Sequence, residues 1–271
     1  MSQPQRFADR RVPFAFTKWY LDGVNEGGDV CTMYCTHLEV GDLALTWHAV
    51  ADYPVTGEPQ QRWSLARVAA PELVGARLIW EAPALDLSLV MDPFDRPRDV
   101  RLLDRADGAV AWHGATMAAN LRLERPGQPV FAGAGYAECL SLTIPPWQLP
   151  IDTMEWGHWM SDDRAHASTW FRWRDTHPLD RVIEDGGDAA SVVIDGARIT
   201  TANSALEISR ERPLERRSLR DIIRAIPLVS RVVPERLLGL VETTWVGRGI
   251  RRDADGSTHE GWAIRETVRF R

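Results

Sequence analysis

Short runs in which apolar and polar residues alternate recur along the chain. The clearest run, 85–91, has leucine or methionine at every second position. Because side chains of a β-strand point alternately to its two faces, this pattern predicts strands. Many such strands, separated by Gly, Pro and Asp turns, predict an all-β antiparallel fold, either a sandwich or a barrel. Other predicted strands are 30–40, 43–50, 63–68, 74–81, 109–113, 120–123, 136–144, 166–173, 191–194, 206–209, 240–246 and 262–270.

One segment has a helical period instead. Leu219, Ile222, Ile223 and Ile226 share one face of a helix, and Pro227 follows them. The spacing predicts a short amphipathic helix in the second half of the chain, which ends at the proline.

Composition and charge exclude several classes of protein. The chain has 271 residues, a net charge of −6 and no long basic run, so we expect no nucleic-acid partner. It shows neither the apolar core of a signal peptide nor an 18-residue apolar stretch, so we expect a cytoplasmic protein without a membrane span. Three cysteines without framework spacing fit a reducing compartment. The sequence does not indicate an oligomeric state.

A faint internal repeat indicates two domains. The segment Lys18-Trp19-Tyr20 precedes a strand, as Glu155-Trp156-Gly157 does 137 residues later. A proline-rich segment at 145–150 lies between the two copies, where a linker would fall. We therefore predict an N-terminal domain over 1–147 and a C-terminal domain over 148–271.

The predicted strand at 136–144 places a carboxylate on an apolar face. Alternation puts Glu138 on the same side as Tyr136, Leu140, Leu142 and Ile144. Removal from water disfavours the charged form, so we expect the pKa of Glu138 to be raised, as a general acid requires. The alternative is a structural role, in which Glu138 pairs with a buried arginine or is satisfied by Tyr136.

Four short segments together resemble the carotenoid 1,2-hydratase (hydroxyneurosporene synthase) and AttH-like group. They are Phe16-Thr17-Lys18-Trp19-Tyr20-Leu21-Asp22-Gly23, Gly133-x-Gly135-Tyr136-x-Glu138, Trp156-Gly157 and Gly261-Trp262-Ala263-Ile264-Arg265-Glu266. The resemblance implies a double-calycin fold, in which two lipocalin-like antiparallel β-barrels follow one another.

The resemblance also implies site residues. In the hydratases a Gly-Tyr-x-Asp segment carries the proposed acid, with a His and a Trp upstream. Here Tyr136 matches the tyrosine, Glu138 stands in the aspartate position, and Trp112-His113 lies upstream. The acid is one methylene longer, and Cys139-Leu140 follows it where the hydratases continue with polar residues. His113 and Tyr136 are therefore candidates to orient a water molecule beside Glu138.

These observations predict an acid–base enzyme without cofactor or metal, acting on an apolar isoprenoid or polyene inside one of the barrels. Glu138 would protonate a C=C bond, tryptophan rings would face the carbocation, and water would add to it. The candidate substrate-binding residues are Trp112, Trp156, Trp19 and Trp47. If the cation instead lost a proton, the enzyme would be an isomerase. If an internal alkene captured the cation, the enzyme would be a cyclase. A pericyclase would only fold the polyene into a reactive shape. A barrel that only carries an apolar ligand is the non-catalytic alternative.

Structural interpretations stand beside several of these functional ones. Trp19 and Trp156 could plug the barrel ends, and His113 could be an exposed loop residue. Asp22 is interpreted as a turn residue. His48 is expected to face solvent, since it alternates away from Trp47.

A second carboxylate also lies on an apolar face. Glu266 shares one strand face with Trp262, Ile264, Val268 and Phe270, as Glu138 shares a face with its apolar neighbours. It is either the equivalent acid of the second barrel or half of a buried ion pair with an arginine.

Overall fold

The computed structural model describes residues 14–149, 151–174, 178–218 and 240–269. Within these ranges the chain is almost entirely antiparallel β-strand and forms two separate sheets. Two short 3-10 turns, Pro83–Leu85 and Pro146–Gln148, are the helical elements of the described part. The predicted all-β, two-domain calycin-like fold is confirmed. The helix predicted around 219–226 lies outside the described residues.

The first sheet has ten strands in the order β4-β3-β2-β1-β10-β9-β7-β6-β5, and β8 also pairs with β9. Its strands are β1 (Phe14–Val24), β2 (Val30–Val40), β3 (Leu43–Tyr53), β4 (Gln60–Ser64), β5 (Glu72–Val74), β6 (Arg77–Ala82), β7 (Leu87–Pro93), β8 (Arg98–Arg105), β9 (Gly108–Glu124) and β10 (Phe131–Leu142).

The second sheet has nine strands in the order β14-β13-β12-β11-β19-β18-β17-β16-β15. Its strands are β11 (Thr153–Ser161), β12 (Ala167–Arg174), β13 (Leu179–Glu184), β14 (Gly187–Asp188), β15 (Val193–Asp195), β16 (Arg198–Thr200), β17 (Ser204–Ser218), β18 (Val241–Asp253) and β19 (Thr258–Arg269). The predicted domain boundary at 147/148 falls in the link between the two sheets and stays a prediction. Within the described ranges, no helix has the length and apolarity needed to cross a bilayer.

Each sheet curls around an apolar core of its own. In the first sheet, Leu21 of β1 belongs to the same buried cluster as Trp80 of β6 and Leu89 of β7, strands far from β1 in the sheet order. In the second sheet, Trp159 of β11 is likewise buried with Ile199 of β16. The interiors of the two curled sheets are therefore filled by side chains.

A third apolar cluster lies between the sheets. It joins Tyr20 and Tyr136 of the first sheet to Trp156, Phe171 and Ile183 of the second. Strands β1 and β10 are thus buried on both faces, one toward their own core and the other toward the second sheet. Alternation on β10 is as predicted, because Ala137 belongs to the core while Tyr136 and Glu138 face the other way.

The two sheets repeat one arrangement, although the register differs from the predicted repeat by one residue. The first strand of each sheet lies between the second and the last strand of that sheet. On it, Tyr20 pairs directly with Glu138 and Trp156 pairs directly with Glu266. Trp156 is therefore equivalent to Tyr20, whereas the predicted repeat matched it to Trp19. A shift of one residue exchanges the two faces of a strand, so Trp19 and Trp156 point to different surroundings.

Candidate functional site

Glu138 lies at a cavity between the two sheets, which corrects the expectation of a site inside a barrel. The cavity has a volume of about 360 Å³, within the range typical of small-molecule sites. It forms here because the outer face of β1, β2 and β10 meets the facing surface of β11 and β12. Glu138 is only 8% exposed.

Three hydrogen-bond donors converge on one oxygen of Glu138. The Tyr136 hydroxyl donates to Oε2 at 2.7 Å and the Trp156 indole N–H at 3.1 Å. The Trp112 indole N–H also donates to Oε2. Both sheets therefore hold this carboxyl group, since Trp156 comes from β11 and the other two donors from β9 and β10.

Burial raises the pKa of Glu138 above its ordinary value, and this effect outweighs the others. The hydrogen bonds from Tyr136 and Trp112 lower the pKa, because they stabilise the ionised form, and the positive charge of Lys18 acts in the same direction. The result is a carboxyl group that keeps its proton to a higher pH than a glutamate in water.

A glycine explains how Trp112 reaches Glu138. Gly114 is the direct cross-strand neighbour of Glu138 on β9, and a Cβ atom there would overlap the six-membered ring of Trp112. The missing side chain leaves the space in which the indole lies. Phe171 of the second sheet packs edge-on against the same indole, with ring centroids 5.2 Å apart.

The rest of the cavity wall is mostly apolar. Trp47 also lines it and stacks on Tyr34 at 6.0 Å between ring centroids. The remaining apolar lining residues are Phe14, Phe16, Leu38, Val40, Leu45, Leu102, Val110, Leu140, Leu142, Pro146, Trp147, Leu149, Ile151, Met154, Trp173, Leu240 and Val268. Such a wall fits an apolar guest molecule.

A smaller set of polar side chains shares this cavity. Lys18, Glu242, Glu266 and Arg217 line it together with Glu138. Burial raises the pKa of Glu266 well above its ordinary value, and the neighbouring Glu242 carboxyl adds to the effect. Burial lowers the pKa of Lys18, but the charge of nearby carboxylates, that of Glu242 most of all, raises it by more. Glu266 is therefore an acid of this same cavity, and no arginine ion pair to it occurs within the described ranges.

Behind Glu138, a buried histidine and aspartate join the sheets. His158 Nε2 lies 2.6 Å from Asp22 Oδ2, and the two side chains are 3% and 1% exposed. The Tyr136 ring stacks in parallel on the His158 ring at 4.0 Å. This layer fixes the tyrosine whose hydroxyl holds Glu138.

The structure brings some predicted site residues together and separates others. Trp112, Trp156 and Trp47 line the cavity with Glu138, whereas Tyr136 lies beneath the carboxyl group and not in the wall. Trp19 packs against the core of the first sheet.

His113 lies on the opposite face of β9 from Trp112. Its Nδ1 is 2.7 Å from the exposed Asp99 carboxylate, and its ring contacts Trp19 edge-on. Adjacent strand residues point to opposite sides, so the geometry does not bring His113 to Glu138. We leave it out of the proposed mechanism.

The sequence interpretation missed several buried polar residues. Asp22 lies inside β1 and not in a turn, and His48 is fully buried with Nε2 against the Ala66 carbonyl, not facing solvent. His158 was not singled out, although the alternation that marks Trp156 also places it on the cavity-side face of β11. The sequence did not indicate that Lys18 lines the cavity, apart from its position two residues before Tyr20 on the same strand face.

One group of side chains has the spacing of metal ligands. Potential ligand atoms of His166, Asp253 and His259 lie within 4.8 Å of one another, away from the cavity. Arg251 Nε donates to Asp253 at 2.6 Å. Because that guanidinium neutralises the carboxylate and would repel a cation, we do not assign a metal site here.

Comparisons with known proteins identify the fold. No family model matches the chain, and no curated protein matches its sequence. The AttH-like protein NE1406 of Nitrosomonas europaea is similar in structure, with a TM-score of 0.55, 14% identity, and coverage of 98% of this chain and 96% of that one. CghA, solved with Sch210972, has a TM-score of 0.56 and 10% identity, over 95% of this chain and 89% of that chain. Kievitone hydratase of Nectria haematococca has a TM-score of 0.52 and 8% identity, over 94% of this chain and 88% of that chain. At these identities the comparisons show a shared double-calycin-type architecture.

Proposed function

We propose that this protein is an acid–base enzyme in which Glu138 protonates a C=C bond of a largely apolar small molecule, and water then adds to give an alcohol. The observation that carries the proposal is the buried Glu138 carboxyl group, with its raised pKa, at the wall of an apolar cavity. A carboxyl group whose pKa is raised keeps its proton to a higher pH, which suits it to donate that proton.

The three donors on Oε2 favour proton transfer. With Oε2 occupied by Trp112, Tyr136 and Trp156, the proton is carried on Oε1. Hydrogen bonds to an ionised carboxylate are stronger than those to the neutral acid. The three bonds therefore strengthen as the proton leaves, so they stabilise the transition state more than the ground state.

The cavity wall suits the cation that protonation creates. The proton from Oε1 forms a new C–H bond with the π electrons of the alkene and leaves a carbocation on the more substituted carbon. Trp112, Trp156 and Tyr20 line the cavity beside Glu138, and an aromatic ring attracts a cation that lies over its face by about 0.5–2 kcal/mol. A water oxygen then bonds to the cation and returns a proton to the Glu138 carboxylate. The sum is alkene plus water giving alcohol, with the acid regenerated.

The structural neighbours support chemistry on small molecules. One is named as a hydratase, and another was solved with a small molecule bound. Since a fold alone does not determine activity, the argument rests on Glu138. The three donors also join the two sheets, so what favours an enzyme over a carrier is the raised pKa of Glu138 and its place at the cavity wall.

The experiment compares Glu138→Gln with wild type. Farnesol, which contains trisubstituted alkenes, is incubated with the protein in ¹⁸O-labelled water, and labelled diols are measured by gas chromatography and mass spectrometry. We expect Glu138→Gln to lower the rate by about 10²-fold or more, the usual contribution of a general acid. Glu155→Gln, on the opposite face of β11, is the matched control and keeps the wild-type rate.

An infrared measurement tests the acid without any substrate. Wild-type protein at neutral pH should show the carbonyl band of a protonated carboxyl group that Glu138→Gln lacks. The proposal would be refuted if Glu138→Gln turned over at the wild-type rate. It would also be refuted if the infrared spectrum showed that Glu138 is already ionised well below neutral pH. Isomerised or cyclised farnesol without ¹⁸O would keep Glu138 as the acid but replace hydration as the outcome.

A further inference from the structure

Two buried hydroxyl groups at the cavity have no hydrogen-bond partner within the described part of the chain. They are Oη of Tyr20 and Oγ1 of Thr36, in side chains that line the cavity and are 2% and 9% exposed. Buried polar groups are nearly always hydrogen-bonded in folded proteins. At the wall of a cavity, two such hydroxyl groups can hydrogen-bond to a molecule that enters it.

A charged donor lies beside these hydroxyls. Lys18 is the direct cross-strand partner of Thr36 and lies two residues from Tyr20 on the same face of β1. Its Nζ is 5.0 Å from the centre of the Tyr34 ring, and no carboxylate of the described residues lies within 4.0 Å of it. Lys18, Tyr20 and Thr36 thus form one polar patch on β1 and β2.

The patch adjoins the acid. Tyr20 is the direct cross-strand partner of Glu138, so the patch and the Glu138 carboxyl group face the same part of the cavity. Among the described residues, the other charged groups here are Glu242, Glu266 and Arg217. Arg217 is held by Glu215, so of these described cations Lys18 is the one that can reorient toward a guest.

The donors in this patch select an acceptor. An ammonium group can only donate hydrogen bonds, and both hydroxyls can donate as well. Since the pKa of Lys18 is raised and not lowered, Lys18 acts as a donor and not as a nucleophile. A pure hydrocarbon would leave all three groups without partners.

We propose that Lys18, Tyr20 and Thr36 form a subsite for an sp² oxygen of the substrate, either of a carbonyl or of a carboxylate group. The substrate is then an oxygenated apolar molecule whose polar end lies beside Glu138. This inference rests on the proposed function for the role of Glu138 in the reaction, but the binding of the oxygen stands on the patch itself. It narrows the isoprenoid or polyene class to members that carry such an oxygen.

Equilibrium dialysis of three matched probes tests the subsite. 2-Acetylnaphthalene carries a ketone, 2-naphthoate a carboxylate, and 2-isopropenylnaphthalene neither. We expect at least one oxygenated probe to bind the wild-type protein about tenfold more tightly than the hydrocarbon, as one hydrogen bond to a charged donor would give. The probe that shows this preference identifies the oxygen as carbonyl or carboxylate.

Variants connect the preference to the patch. Lys18→Met should remove it while leaving hydrocarbon binding unchanged. Tyr20→Phe removes the hydroxyl and keeps the ring, so it tests the patch even if Lys18→Met fails to fold. Because this hydroxyl also interacts with the buried Asp22 carboxyl group, the free energy of unfolding of Tyr20→Phe is measured beside its binding. Thr17→Val, on the opposite face of β1, is the control and should keep the preference.

Three results would overturn the subsite: equal binding of all probes, no binding of any probe, or a preference that survives both Lys18→Met and Tyr20→Phe. These results are independent of the rate measured with Glu138→Gln. Loss of the subsite therefore leaves the proposed acid untouched, and loss of the acid leaves the subsite untouched.

Discussion

Glu138 and Glu266 occupy equivalent positions in the two sheets and line the same cavity. Each pairs directly with an aromatic residue of the first strand of its sheet. A glycine precedes each acid on the same strand: Gly133 precedes Glu138, and Gly261 precedes Glu266. A Cβ atom at either glycine would overlap a backbone carbonyl of that first strand. The three donors on Glu138 and the carboxyl neighbour of Glu266 set the two acids apart. The repeated architecture thus holds two acids in unlike surroundings.

The raised pKa of Glu266 predicts a pH-dependent loss of stability. A carboxyl group whose pKa is higher in the folded than in the unfolded protein binds more protons when folded, so stability falls as pH rises above the ordinary value of 4.5. A folded pKa that lies one pH unit above the unfolded pKa costs about 1.4 kcal/mol. Glu266→Gln should therefore gain free energy of unfolding relative to wild type as pH rises from about 5 to about 8. Urea unfolding across this range measures the difference; a constant difference would contradict the raised pKa.

The hydrogen bond from Tyr136 predicts a change in the pH profile. The Tyr136 hydroxyl stabilises ionised Glu138, so Tyr136→Phe should raise the pKa of Glu138 further. In the mechanism we propose, activity requires the protonated acid, so it falls as pH rises through that pKa. The falling limb of the pH–rate profile should therefore move to higher pH by about one pH unit, the equivalent of one hydrogen bond, with a lower maximal rate. The control is Tyr53, whose hydroxyl donates to Glu215 at 2.6 Å and not to Glu138. Tyr53→Phe should therefore leave the pH–rate profile unchanged.

The buried pair of His158 and Asp22 predicts a large stability cost. Asp22→Asn weakens the contact between two fully buried polar side chains, and leaving a buried polar group without its hydrogen bond costs about 1–3 kcal/mol. The control is the pair of His113 and Asp99, which has a similar distance of 2.7 Å but an aspartate side chain that is 86% exposed. Asp99→Asn should cost less than about 1 kcal/mol. Chemical unfolding measures both, and equal losses would show that the inter-sheet pair contributes nothing special.

A substitution at Gly114 tests the hydrogen bond from Trp112 to Glu138. Gly114→Ala places a Cβ atom in the ring of Trp112, which must then move away from the Glu138 oxygen. We expect turnover to fall, while Gly187→Ala, which meets its nearest backbone atom at 3.5 Å, leaves it unchanged. The indole fluorescence and the turnover rate can be measured on the same samples. Unchanged turnover in Gly114→Ala would exclude a role for the Trp112 hydrogen bond.

Much of the fold could be predicted because the period of two is visible in the sequence. The same period placed Glu138 and Tyr136 correctly on one face of β10. It could not say which face is enclosed by the barrel, since β10 is buried on both sides and apolar residues occupy each. The small residues Ala137 and Cys139 face the barrel side, and the larger ones face the second sheet.

The errors in the site have equally specific causes. Trp112 and His113 are neighbours on one strand, so strand geometry alone excludes both from one site. Asp22-Gly23 resembles a turn, but the register continues through it because Asp22 finds a buried partner, His158, far along the chain. Such a pairing depends on how the two sheets meet, which no local pattern encodes.

The chamber that holds Glu138 belongs to neither half of the chain alone. Each curled sheet has a filled centre of its own and would still bury apolar side chains if it stood apart from the other. In the first sheet alone, Glu138 would lose the hydrogen bond from Trp156, and Phe171 would no longer cover the site. The carboxyl oxygens of Glu138 would then contact bulk water. In the mechanism we propose, the first half of the chain thus supplies the acid, and the second half encloses that acid away from water.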